Sequence, residues 1–142
     1  MKDDKSTASS HSLLKTMGLR PTLNRVLVLD TIASSDKALT AREIFEGVTK
    51  EHNLNRVTVY RTLETLFDNG AINRTSCGDR IQHFCIGKTH SHFHCTECGE
   101  VKCIDNKELQ FDEHSVMKSL PMQINSINLQ LEGICDKCSH TL

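Results

Sequence analysis

From Ser12 to Gly70 the apolar residues recur with the 3.6-residue period of helices; beyond Gly70 they shift towards the alternation of strands. A short first helix is predicted from about Ser12 to Met17, stopped by Gly18 as its C-terminal cap. Pro21-Thr22 opens a second, with Val26, Leu27, Leu29, Ile32 and Ala33 on its apolar side. Thr40-Ala41-Arg42-Glu43 has the form of a capping box and starts a third helix through Ile44, Phe45 and Val48. A fourth runs from Asn55 to Phe67 and is closed by Asn69-Gly70. Val59, Leu63, Leu66 and Phe67 form its buried stripe, which leaves Thr58, Tyr60, Arg61 and Glu64 off it.

Ala71–Thr75 and Arg80–Ile86 then read as two strands joined at Cys77-Gly78-Asp79, a hairpin signal. With the short first helix set aside, three helices and a two-stranded wing make a winged helix-turn-helix. In that motif the second helix enters the DNA major groove while neighbouring elements hold phosphates. Further strands are predicted at His92–Cys95, Glu100–Ile104 and Gln123–Leu131, with a helix from about Lys107 to Ser119. The fold class is therefore α+β: a winged-helix DNA-binding domain over 1–86 and a smaller α/β domain over 87–142, divided near Gly87-Lys88.

Charge adds a division of labour. Residues 1–86 carry 12 Lys and Arg against 10 Asp and Glu, whereas 87–142 carry 5 against 8, so the near-neutral net charge of −1 hides an asymmetry. Lys15, Arg20, Arg25, Arg56 and Arg61 fall at helix ends or on the fourth helix, where clustering makes a basic face. The chain has no apolar run approaching the roughly 20 residues that span a bilayer. Its start, MKDDKSTASS, lacks the apolar core of a signal peptide, so a cytoplasmic protein with no membrane partner is expected.

Seven Cys and eight His in 142 residues, with no Trp and one Tyr, change the picture most. An odd cysteine count in a reducing compartment fits disulfides poorly. Cys95-Thr-Glu-Cys98 and Cys135-Asp-Lys-Cys138 have the spacing with which two thiolates grip one ion. Two such knuckles complete a tetrahedron, which predicts structural Zn2+ held by four cysteines. A redox role for the C-x-x-C pairs has against it their duplication and the lack of a βαβ pattern. The second constellation is Thr89-His90-Ser91-His92-Phe93-His94-Cys95. On a strand, His90, His92 and His94 share a face, with Phe93 and Cys95 on the other. His83 and Cys85 are likewise two apart on the wing. His83, Cys85, His90 and His92 together make a four-ligand regulatory site at the junction of the halves, whose imidazoles and thiolate favour zinc. Cys77 and Cys103 are set aside as structural or incidental. No H-x-E or H-E-x-x-H arrangement is present and no carboxylate adjoins His90 or His92, so a zinc hydrolase, which needs a general base, is not expected.

In order along the chain stand Gly18-Leu-Arg-Pro-Thr22, Arg25, Thr40-Ala41-x-x-Ile44-Phe45, Val57-Thr-Val-Tyr-Arg-Thr-Leu63, Gly70-Ala-Ile72, His90-x-His92-x-x-Cys95-x-x-Cys98-Gly99 and Gly133-x-Cys135-x-x-Cys138. From about Leu13 to Cys138 this order resembles the ferric uptake regulator family of bacterial metal-sensing repressors. The resemblance implies a homodimer, with the C-terminal domain dimerising, that binds double-stranded DNA at a palindromic operator. It implies that Tyr60 and Arg61 contact the major groove and Arg20 the adjacent minor groove, with Arg56 and Thr58 beside them. It also implies a second metal at the hinge as the signal that brings the DNA-binding domains into register.

Departures sharpen the expectation. Iron-sensing members resembled here place a carboxylate where His83 stands and a histidine where Ala38 stands. A further family site falls on Thr89, Ser91 and Ile127, which are poor ligands. Cys85 resembles the zinc uptake regulators, although their extra ligand near the wing's start is Asn73 here, with His83 as its replacement. Asp105 is the acid nearest the cluster. The reading is a zinc-responsive repressor of metal uptake genes; the alternative is an iron- or manganese-responsive (Fe2+, Mn2+) or peroxide-sensing regulator of the same family.

Overall fold

The computed structural model describes residues 2–76, 80–86, 90–105, 109–110, 112–124, 127 and 129–140. The turn at Cys77-Gly78-Asp79, the boundary at Gly87-Lys88, Thr89 and the helix start at Lys107 lie outside them. The chain separates into two compact units, Met1–Ile86 and Gly87–Leu142.

The first unit opens with α1 (Lys2–Thr16), much longer than the expected Ser12–Met17. Its upstream turns carry no apolar stripe for periodicity to detect. One polar contact docks it: buried Ser10 donates to the Asp30 carboxylate at 2.5 Å, and fully buried Leu14 lies one turn on. The helix ends as foreseen. Gly18 takes φ +75, and the N–H groups of Gly18 and Leu19 reach back to the Lys15 and Leu14 carbonyls, a Schellman close.

In α2 (Leu23–Ala33) the hydroxyl of Thr22 accepts from the Arg25 N–H, and Val26, Val28, Leu29 and Ile32 are buried. Fully buried Val28 replaces Ala33, which is exposed; the buried arc is wider than the strict stripe. The capping box forms as expected at the start of α3 (Ala41–Val48). Glu43 N–H donates to the Thr40 hydroxyl at 3.1 Å, and Thr40 N–H donates to the Glu43 carboxylate at 2.9 Å. α4 (Arg56–Asp68) is capped by the Asn55 side chain, which accepts from Thr58 N–H at 2.8 Å. Gly70 at φ +79 closes it with the same double return to Phe67 and Leu66.

The wing is three-stranded, not two-stranded, in the order β1-β3-β2: β1 (Leu39–Thr40), β2 (Asn73–Ser76) and β3 (Gln82–Cys85), all antiparallel. Two residues are too few for periodicity to reveal β1. The strands are also shorter than expected: Ala71 and Ile72 are buried in the helical core rather than in the ladder. That core runs from Leu14 through the helices to Phe84.

In the second unit β4 (His90–Cys95) lies between β5 (Val101–Asp105), antiparallel, and β6 (Gln130–Gly133), parallel. Of the strand expected over Gln123–Leu131, the described residues Gln123, Ile124, Ile127 and Leu129 lie outside any strand, and β6 runs on past Leu131 to Gly133, opposite Cys95. α5 covers Glu113–Ser119, started by Asp112, whose carboxylate accepts from Ser115 N–H and hydroxyl. A short α6 (Asp136–Ser139), too brief for hydrophobic periodicity to mark, follows Cys135. Among the described residues of this unit the only buried hydrophobic side chains are Cys95, Val101 and Cys135.

Candidate nucleic-acid interface and metal centres

On α4 the first turn is fixed by Asn55, and the buried stripe is Val59, Thr62, Leu63 and Leu66. Val57, Tyr60, Arg61 and Glu64, at i, i+3, i+4 and i+7, form the opposite, exposed face. Phe67, expected in the buried stripe, is half-buried and packs against the core, with the Arg74 guanidinium from the wing 3.9 Å over its ring and 3.6 Å from Glu64. Arg56 is exposed, its guanidinium 5.5 Å over the Phe45 ring, which ties the start of α4 to α3. Thr58 is half-buried, its N–H taken by Asn55 and its carbonyl accepting from the Thr62 hydroxyl.

Arg20, exposed before α2, has its backbone held in turn: the Arg25 guanidinium donates to the Arg20 carbonyl at 2.9 Å. A groove of about 840 Å³ opens between α4, the start of α3 and the wing, lined by Val57, Tyr60, Arg61, Arg42 and Ile81 among others. The groove therefore offers the cations Arg42 and Arg61, the aromatic Tyr60 and the apolar Val57 and Ile81, beside the acidic Glu64, to a ligand approaching α4.

The two cysteine pairs meet. The Sγ atoms of Cys95, Cys98, Cys135 and Cys138 all lie within 4.8 Å of one another, and Cys98 and Cys135 sulfurs are 3.9 Å apart. Sulfurs of a tetrahedral zinc thiolate site stand about 3.8 Å apart, from bonds of about 2.3 Å. The convergence follows from register. Cys95 is opposite Gly133 in the parallel ladder, and Thr96 N–H donates to the Gly133 carbonyl at 2.8 Å, so the chain leaving β6 arrives beside β4. Gly99 takes φ +79, as the first knuckle's turn demands, whereas at Gly133 a Cβ would make only an ordinary contact with the Phe93 ring, at 3.4 Å.

The backbone N–H groups of Cys98 and Cys135 donate to Cys95 Sγ at 3.5 and 3.4 Å and pull its thiol down to about 6. The neighbouring Cys135 sulfur pushes Cys138 up to about 12. One negative charge sits easily here and four do not, unless a cation shares them; soft donors in this geometry fit zinc.

The remaining ligand candidates divide between the units. His83 and Cys85 are buried on β3, and so is Phe84 between them, so this strand is covered on both faces. His83 Nδ1–H donates to the Ile81 carbonyl at 3.1 Å, which leaves the lone pair on Nε2, the arrangement of a metal-ligating imidazole. His90 stands opposite Asp105 and His92 opposite Cys103 in the β4–β5 ladder. Directly paired residues share a sheet face, so Cys103 joins His92 as a donor. Nothing in the sequence of β5 marks Cys103 as a donor, because its position opposite His92 depends on the register of the ladder. His94 shares that face, is buried, and stands opposite Glu132 with Nδ1 4.0 Å from the carboxylate.

A winged helix with a basic and aromatic readout face, followed by a unit organised around four thiolates, defines a metal-dependent transcriptional regulator. The chain belongs to the ferric uptake regulator family, whose family model matches residues 16–132. It is 30% identical over 134 residues to the ferric uptake regulation protein of Bordetella parapertussis, covering 92% of this chain and 96% of that one. It is 26% identical to a peroxide-responsive repressor of Staphylococcus aureus, covering 88% and 86%.

Among solved structures, the ferric uptake regulator of Pseudomonas aeruginosa with manganese superposes with a TM-score of 0.72 at 22% identity, over 89% of this chain and 98% of that one. A zinc uptake regulator complexed with zinc and DNA superposes with a TM-score of 0.68 at 19% identity, over 99% and 97%. These likenesses support the fold. Members of the family are transcription regulators and not enzymes, and this chain is one of them. No helix among the described residues is long and apolar enough to cross a membrane.

Proposed function

We propose that the chain is a zinc-responsive repressor that acts as a cytoplasmic homodimer on a palindromic operator and controls metal uptake genes. The observation that carries the reading is the chemistry of the donors. The regulatory ligands are His83, Cys85, His90 and His92, with Cys103 paired across the ladder from His92. Imidazole and thiolate suit Zn2+, whereas Fe2+ and Mn2+ sites draw on carboxylate oxygen. Cys95, Cys98, Cys135 and Cys138 hold a separate structural Zn2+. Arg20, Arg56, Thr58, Tyr60 and Arg61 contact double-stranded DNA. Homodimer formation through the second unit is in keeping with its exposed Leu120, Met122, Leu131 and Ile134 and its sparse interior.

The mechanism is linkage. Metal binds the DNA-competent arrangement of the dimer more tightly than the alternative and so shifts the population towards it, by about 1–3 kcal/mol or roughly 5–150-fold in affinity. The test is anaerobic titration of Zn2+, Fe2+ and Mn2+ against DNA binding by the protein carrying its structural zinc. Tightening by Zn2+ at the lowest free concentration is expected; tightening by Fe2+ or Mn2+ instead overturns the zinc assignment. A His90→Ala, His92→Ala double variant that keeps structural zinc yet still binds DNA metal-dependently overturns the ligand set.

A further inference from the structure

Val57 is the one member of the exposed α4 face that neither carries charge nor can form a hydrogen bond through its side chain. It sits at the second helical position, one residue after Arg56, and is 56% exposed, so it contributes little to the core. Its neighbours on the face, Tyr60 and Arg61, lie one turn further along. Core demands explain Val59, which is fully buried, but not Val57. Helix propensity does not explain it either, since a β-branched residue is among the poorer choices for an exposed helical position. What β-branching does give is rigidity. In a helix, valine holds essentially one χ1 rotamer, so its two methyl groups point one way at little entropic cost on contact.

We infer that Val57 is a specificity-determining residue that reads the 5-methyl group of a thymine in the major groove. Three features converge on this assignment. The N-terminal turn of a helix-turn-helix recognition helix is the part that reaches base edges. Thymine alone among the bases offers an apolar group in that groove, and small apolar side chains are its partners. The polar groups around Val57 complete the pattern, since Arg56 and Arg61 supply cations for phosphates or guanine and leave the apolar contact to it. The assignment rests on the reading of α4 as the DNA-contacting helix, and the test separates the two.

Zinc-loaded full-length protein selects bound duplexes from a library of randomised double-stranded DNA. The recovered site is then resynthesised with each thymine in one half-site replaced singly by deoxyuridine, which removes only the 5-methyl group. Wild type is expected to lose about fourfold in affinity at one thymine, the contribution of one buried methyl group. Val57→Ala binds the thymine and uracil duplexes at that position equally, while keeping wild-type sensitivity to changes elsewhere in the site; Val57→Thr, which retains one methyl, keeps part of the discrimination. Val57 is exposed and alanine is a better helix former, so folding is not at risk, and unchanged helical circular dichroism verifies it. The proposal is overturned if uracil is tolerated at every position by wild type, or if Val57→Ala retains the same uracil penalty. An Arg61→Ala variant that selects the same site with undiminished affinity overturns instead the reading of α4, and this inference with it.

Discussion

Replacing Cys135 with serine removes one of four sulfurs that converge between β4 and the start of α6. The second unit has little else to hold it. Besides Cys95 and Cys135, Val101 is its only buried hydrophobic residue among those described, and burying a valine contributes about 1.5–3 kcal/mol. A structural zinc contributes about 10–16 kcal/mol of apparent binding free energy, so one ligand of four carries roughly 2.5–4 kcal/mol. At about 0.05–0.15 kcal/mol per residue, the whole stability expected of Gly87–Leu142 is about 3–8 kcal/mol. Loss of one thiolate is therefore comparable with the stability of the unit itself.

Amide hydrogen exchange measures the outcome locally. In Cys135→Ser, the amides of His92 and Thr96, which donate to Leu129 and Gly133 carbonyls, are expected to exchange orders of magnitude faster, with bound zinc lost. Amides of α2 and α4, which lie over the large core of the first unit, are expected to keep their protection. A zinc-free Cys135→Ser protein with slow exchange at His92 and Thr96 would refute the claim that metal ligation holds this unit together.

Three further outcomes follow from the first unit. The Glu43 carboxyl is pushed up by partial burial, but the Thr40 N–H and hydroxyl and Lys37 bring it below the usual glutamate range. A lowered folded-state pKa stabilises above the unfolded value near 4.3–4.5 and is lost as pH falls through the folded one, so acid denaturation of Glu43→Gln should show a shallower loss below about pH 4.5 than wild type. Gly70→Ala has room for its Cβ, the nearest atom being Met17 Sδ at 3.9 Å, but not the backbone, at φ +79; urea unfolding should show a loss of roughly 1–2 kcal/mol. Arg42→Ala removes an i,i+4 pair to Glu46 at 3.1 Å whose members are largely exposed, and thermal unfolding should move by no more than about 0.5 kcal/mol equivalent.

What sequence reasoning recovered and what it missed divide by the range of the interaction. The capping box at Thr40 and Glu43 and the glycine closures at Gly18 and Gly70 are contacts within six residues, and each was legible as a motif. The missed features depend on distant partners. The upstream turns of α1 are docked through Ser10 and Asp30, and β1 exists only because β3 passes beside it. The guanidinium that covers the Phe67 ring comes from Arg74 on the wing.

The metal chemistry shows the same division. Spacing within each C-x-x-C pair is a local property, and with the order of the family's motifs it determined from sequence alone which residues have the chemistry for zinc and which helix has the chemistry for DNA. That the two pairs meet, that Cys103 faces His92 and that Glu132 faces His94 were decided by the tertiary structure. The physical reason is strand register: a shift of one residue in β5 or β6 would send every one of these side chains to the opposite face of the sheet, and nothing in a single strand's sequence records the register of its neighbour.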